Sequence, residues 1–286
     1  MRLPLVLKPS TALLLPTLLA NTFKGSEPAT GLPALYVADT LDGWQAPEAL
    51  AHKGLLVPRP HLAEAFDALS EDIDAAHSQH FGDGQALGAR VPNHDDAALS
   101  AAVERLLAKA ALPAALSERI HEDACEIARA VGALCDQSAA LELKLEVFGH
   151  NVCQRWHMDH FVGRAIVSYT GATGTMYTRD ANVDFWELQH CGNNDCIIKD
   201  VALIENVGVG DILFIKGAAY SKSGATGLVH KSPEKRFHDD GRIVNRLVLK
   251  VDVMREAGGG AEVAAAAGAR PGVKLPASLI KRVTPS

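Results

Sequence analysis

Aromatic residues are scarce, at 5% of the 286 residues, which argues against the base-stacking platforms that single-strand binders need. Positive charge is also short, with 28 Lys and Arg against 34 Asp and Glu. The resulting formal charge of −6 offers no field for gripping nucleic acid or an anionic membrane, so neither is an expected partner. No apolar run approaches the roughly 20 residues of a membrane span. The nearest candidate, MRLPLVLKPSTALLLPTLLA, loosely resembles a secretion signal, but Lys8, Pro9 and Pro16 break it. A cytoplasmic location is therefore expected, with organelle import or secretion through this weak signal as the alternative. Cysteines are few and odd in number (Cys125, Cys135, Cys153, Cys191 and Cys196). That count argues against a disulfide framework and for reduced thiols. No internal repeat is present, which excludes solenoids and propellers.

What is there reads as an ordinary soluble chain, 48% hydrophobic and 22% charged, long enough for one large domain or one domain with a helical extension. Residues 1–60 read as an irregular segment. Residues 61–138 read as helices: Leu62, Phe66, Leu69 and Ile73 recur at helical spacing. Asp95 and Asp96 offer a cap for a second helix ending at Pro113, and Ile120, Ala124, Ile127, Val131 and Leu134 stripe a third, with Ser117 as a cap. After Ser138 the period falls to two. Leu141, Leu143, Leu145 and Val147 alternate with Glu142, Lys144 and Glu146, the pattern of a half-buried strand. Further strands are expected at Arg164–Tyr169, Val183–Leu188, Val201–Ile204, Asp211–Ile215, Gly227–His230 and Val244–Val253. Such short strands with glycine turns predict a sandwich or barrel. The Ala- and Gly-rich stretch at 257–286 has little to bury and reads as a flexible tail.

The densest polar cluster is Cys153-Gln-Arg155-Trp156-His157-Met-Asp159-His160. Side chains two apart on a strand share a face, so His157 and Asp159 can converge on one ion. A facial triad needs one more histidine, and Leu228-Val229-His230 supplies it at the end of a short apolar strand. Cys153 lies four residues before His157, about 13 Å away on an extended strand, so packing is favoured over ligation. His190, Cys191 and Cys196 make half of a zinc site, but no second ligand pair stands nearby. Their segment reads as a polar loop with two incidental thiols, or a loop disulfide.

The order His157-x-Asp159, a Gly210-Asp211 strand, His230 and Arg246 resembles the iron(II)- and 2-oxoglutarate-dependent oxygenases over roughly Leu141–Asp252. The resemblance implies an α+β fold, with an N-terminal helical region packed on a double-stranded β-helix (a cupin-like jelly roll) spanning residues 139–256. It implies Fe(2+) on His157, Asp159 and His230, and a cation clamping the 2-oxoglutarate carboxylate. Arg246 is that cation, with Arg242, Arg236 and Lys216 as rivals. The substrate would be a small molecule or a protein. The alternative keeps the same three ligands for Zn(2+), in a zinc hydrolase or zinc-handling protein, with Glu187 or Asp184 as acid or base.

A closer resemblance is to the family called domain of unknown function 1826. It is carried by Cys153, Arg155-Trp156-His157-x-Asp159, Arg164, Tyr169-x-Gly171 and Gly174-Thr175. Leu213-x-x-Lys216-Gly217, Gly227-Leu-Val-His230-Lys-Ser232-Pro233 and the strand Arg246–Asp252 complete it, about a third of the chain. The chain departs from that pattern at Gly171-Ala172-Thr173-Gly174-Thr175, and in the Cys191–Cys196 loop, which reads as an insertion. This resemblance implies no known reaction.

Overall fold

The alternation that begins at Leu141 builds the long strand of a seven-stranded sheet. The computed structural model describes residues 32–62, 65–66, 86–150, 152–222 and 224–254. The strands are β1 (Leu35–Val37), β2 (Gly54–Val57), β3 (Ala86–Pro92), β4 (Ala140–Phe148) and β5 (Gly163–Ser168). They continue with β6 (Met176–Thr178), β7 (Glu205–Asn206), β8 (Ile212–Lys216), β9 (Val229–Lys231) and β10 (Arg246–Val253). The larger sheet runs β1-β2-β8-β5-β10-β4-β3, and a second runs β7-β6-β9. The chain is thus mixed α+β with two sheets. His157 joins the smaller sheet through an antiparallel bridge to His230.

Each face of the larger sheet has its own partner. Leu141, Leu143, Leu145 and Val147 share one apolar core with Ala165, Val167, Leu247, Leu249 and Val251. Helix α1 (Asp96–Ala110) contributes Leu99, Val103 and Leu106, and α2 (Ala114–Leu134) contributes Leu116, Ile120, Ile127 and Val131. Each such side chain, once buried, contributes on the order of 1.5–3 kcal/mol. Asp123 of α2 is completely buried, and receives Arg59 at 2.6 and 3.0 Å and the Tyr169 hydroxyl at 2.8 Å. A buried carboxylate tolerates this place only because it is paired and hydrogen-bonded. On the opposite face Leu213 and Ile215 pack with Tyr177, Val207 and Leu228. Because side chains alternate, Arg164, Lys250 and Asp252 also point to that face.

Several segments differ from expectation. Residues 1–60, irregular by sequence pattern, supply β1 and β2, and 61–138 supply the edge strand β3 as well as helices. β3, Ala86-Leu-Gly-Ala-Arg-Val-Pro92, does alternate, with Leu87, Ala89 and Val91 turned to the core, but its Gly and Ala positions give little hydrophobic contrast to read. Val183–Leu188 is not a strand: Asp184 accepts the N–H groups of Trp186 and Glu187, starting helix α3 (Phe185–His190). A cap that satisfies two free donors outweighs the β-branched start of the segment. Val201–Leu203 is likewise a 3-10 turn capped by Asp200. α2 begins one residue after Pro113, and Ser117 lies inside it rather than capping it. Helix α4 (Asn194–Ile197) has no counterpart in the sequence pattern. The signal-like segment, Leu69, Ile73 and the 257–286 tail lie outside the described residues.

Candidate metal centre

Backbone pairing sets the centre. His157 and His230 exchange N–H···O=C bonds of 3.0 Å in both directions, which places their rings 4.4 Å apart between centroids. Asp159 follows two residues later. Its Oδ1 lies 3.7 Å from His157 Nε2 and its Oδ2 lies 3.8 Å from His230 Nε2. One ligand atom from each of the three residues falls within 4.8 Å of the others.

The second ring nitrogens are occupied. His157 Nδ1 donates to the Arg155 carbonyl at 2.8 Å, and His230 Nδ1 donates to the Leu228 carbonyl at 3.0 Å. Each bond fixes the tautomer that leaves a lone pair on Nε2, as a ligating imidazole requires. Burial, helped by neighbouring His157, pushes His230 down to about 4, so its ring is neutral and ready to ligate near pH 7. Burial pushes the Asp159 carboxyl up, but the charges beside it, those of His230 when protonated, of Arg164 always and of His157 when protonated, pull it further down. Asp159 is therefore held as the carboxylate. Asp159 and His230 are buried, whereas His157 lines an open cavity with Arg155, Trp156, Met158, His160 and Leu188.

Arg164 is the residue that the sequence pattern did not place at the centre. Its Nη1 reaches both Asp159 oxygens, at 3.1 and 3.4 Å, and its Nε and Nη2 hold Asp252 at 2.6 and 3.1 Å. The even register offset from Arg164 to Ile166 and Ser168 on β5 was the available signal, since it puts Arg164 on the face away from the helices.

The cations expected to clamp a cosubstrate separate clearly. Lys216, one of the rival cations, belongs to the helix-side face with Ile212 and Phe214. Its ammonium donates to the Ala49, Leu50 and His52 carbonyls at 2.7, 3.3 and 2.7 Å. Burial pushes it down to about 8, and the three acceptors favour its charged form. Arg242 is an exposed side chain whose Nε pairs with Asp240 at 2.6 Å. Arg246 is different. It is buried on β10, with Nη1 3.3 Å from Ser168 Oγ, and no carboxylate pairs with it among the described residues. Burial alone lowers it to about 10. Lys250, on the same face, is paired with Glu146 at 2.5 Å.

Cys153 is exposed and takes no part in the converging set. Asp184 is committed to capping α3. Glu187 instead converges with Cys191 and Cys196, all within 4.8 Å. His190, expected beside those thiols, stacks on Trp186 at 3.9 Å and bonds the Trp186 carbonyl. Glu187 one turn before Cys191 was the legible signal, because residues four apart meet on a helix.

The family model described as "Protein of unknown function (DUF1826)" matches residues 52–252. No curated protein matches the chain in sequence. In three dimensions the chain is similar to a 2-oxoglutarate complex of dioxygenase for auxin oxidation 1 from Arabidopsis thaliana. That likeness has 10% identity and a TM-score of 0.44, over 78% of this chain and 92% of that one. The Fe(II)/(alpha)ketoglutarate-dependent dioxygenase TqaL is similar at 10% identity and TM-score 0.38, over 73% and 84%. A Pseudomonas putida prolyl-4-hydroxylase is similar at 13% identity and TM-score 0.33, over 75% and 96%. These TM-scores all lie below 0.5, so the case for any activity rests on this chain's own residues.

Proposed function

We propose that the chain, which belongs to the DUF1826 family, is a metal-dependent enzyme of the iron(II)/2-oxoglutarate oxygenase type. The observation that carries this reading is the convergence of two imidazoles and one carboxylate, with both Nδ1 atoms anchored on backbone carbonyls. Two histidines and a carboxylate on one side of an ion, with the other side open, form the donor set suited to non-haem iron. Bound iron and a 2-oxo acid would supply oxidation of a substrate bond by dioxygen.

The chain's own residues supply the rest. His157, Asp159 and His230 hold the ion, and Arg164 orients Asp159 between the two rings. Arg246 is the residue for the distal carboxylate of 2-oxoglutarate. A guanidinium buried without an anion is costly, and a carboxylate placed against it offsets that cost with charge-assisted bonds. The cavity beside His157 admits a small molecule or a protein side chain.

The strand path supports a double-stranded β-helix for this region. From β4 the chain passes to the smaller sheet at His157, back to β5, to β6 and β7, back to β8, to β9, and ends on β10. Winding antiparallel strands between two sheets in this way is how a jelly roll places ligands from both its sheets around one interior.

The test is an anaerobic titration of the iron(II) protein with 2-oxoglutarate. A metal-to-ligand charge-transfer band in the visible, together with succinate formation on admitting air, supports the reading. Tight zinc binding with no 2-oxoglutarate binding by calorimetry in the iron form overturns it in favour of a zinc protein using the same triad.

A further inference from the structure

We propose that Glu187, Cys191 and Cys196 form a second metal site, for a thiophilic divalent cation such as Zn(2+), beside the mouth of the His/Asp/His centre. A carboxylate oxygen and two sulfurs lie within 4.8 Å of one another. Zinc bonds of about 2.3 Å to sulfur and about 2.0–2.2 Å to oxygen put tetrahedral ligands roughly 3.5–3.8 Å apart. A small inward adjustment of these half-buried and exposed side chains therefore closes the site.

Local structure brings the three together. Cys191 caps the C-terminus of α3, its N–H bonded to the Glu187 carbonyl at 2.8 Å, so the two side chains stand one turn apart. Asn193 then caps α4 through the Asp195 N–H, and this reversal returns Cys196 to Cys191. The Cys191 and Cys196 sulfurs lie within 4.8 Å of each other. Cys191 Sγ also accepts the Asn193 N–H at 3.3 Å. Glu187 enters no ion pair among the described residues, so its charge is free to meet a cation. Cys196 is exposed and Cys191 half-buried, which leaves the fourth position to water.

The loop that carries these ligands is tied to the strand that presents His157. Arg155 Nη2 donates to the Cys191 carbonyl at 2.7 Å. Asn194 accepts the Trp156 N–H at 3.1 Å and donates to the Gln154 carbonyl at 2.7 Å. An ion joining α3 to α4 would hold this segment against residues 154–157. The donor set does not depend on what the His/Asp/His centre does.

The test is cobalt(II) titration of the full-length reduced protein. The expected result is a thiolate-to-cobalt charge-transfer band in the near ultraviolet, which a His/Asp/His site cannot produce. Cys196→Ser, a change at an exposed position, should abolish that band, while His157→Ala should retain it. Glu187→Gln should weaken cobalt binding and leave the band's sulfur origin intact. Failure of the parent protein to give the band overturns the proposal. So does a count of three rather than five free thiols in unfolded, aerobically purified protein restored to five by reductant, which would assign Cys191 and Cys196 to a disulfide.

Discussion

Arg164 and Asp159 form a buried ion pair of 3.1 Å in which one guanidinium nitrogen serves both carboxylate oxygens. The other two nitrogens hold Asp252 on β10. One cation thus orients a metal ligand and fastens it to the strand that closes the sheet. Burial disfavours the Arg164 charge, but Asp252 and Asp159 outweigh that and raise its pKa above the usual value. Arg164→Lys keeps the charge and loses the fork. Metal affinity should fall by about tenfold, the lower end of what partners behind a ligand contribute. Chelator competition measures it, and an unchanged affinity would remove Arg164 from the centre.

His230 makes stability depend on pH. Its folded pKa is depressed from 6.5 to about 4 by burial first and His157 second. The unfolded chain therefore binds a proton that the folded chain refuses between those values. Stability of the metal-free protein is fully present above pH 6.5 and is lost as pH falls towards 4, by about 3 kcal/mol. Denaturant unfolding at pH 7, 5.5 and 4.5 should show this fall, and His230→Asn should flatten it. An equal slope in the variant would mean that other groups carry the effect.

Much of this was legible in sequence because alternation survives where one sheet face is apolar. Leu141 to Val147 and Leu247 to Val253 show it plainly, and both became central strands. His157, Asp159 and His230 were legible because a two-residue offset fixes a shared face, while their meeting needed the bridge between His157 and His230. The α3–α4 segment was not legible as helix, since Asp184 and Asn193 act through caps rather than periodicity. The facing of Lys216 was not legible because its strand is buried on both sides. Pattern alone could not tell which side held a ligand and which held three backbone carbonyls. Arg164 was named in the family pattern, but its bond to Asp159 depends on neighbours distant in sequence.

Lys216→Met should separate structure from cosubstrate binding. The substitution leaves the Ala49, Leu50 and His52 carbonyls without their donor. Stability should fall by about 1–3 kcal/mol, the cost of buried groups left unsatisfied. Metal content and 2-oxoglutarate affinity of the folded fraction should not change. A selective loss of 2-oxoglutarate binding at unchanged stability would return Lys216 to the clamp role.

Arg246 and Arg242 make the complementary comparison. Arg246→Ala should weaken 2-oxoglutarate binding by about a hundredfold or more, because a buried charge-assisted pair is lost. Arg242→Ala, at an exposed pair with Asp240, should change it less than about threefold. Isothermal calorimetry on the iron(II) protein measures both, and equal effects would contradict the assignment.

Metal occupancy of the triad variants tests the central claim most directly. The parent for this measurement carries Cys191→Ser and Cys196→Ser, so that the thiol cluster contributes no ion. Elemental analysis after iron(II) loading and desalting should find about one equivalent in that parent, the stoichiometry of a single facial triad. His157→Ala, Asp159→Ala and His230→Ala should each fall close to zero with the fold retained by circular dichroism. Full occupancy in any two of the three would contradict the account.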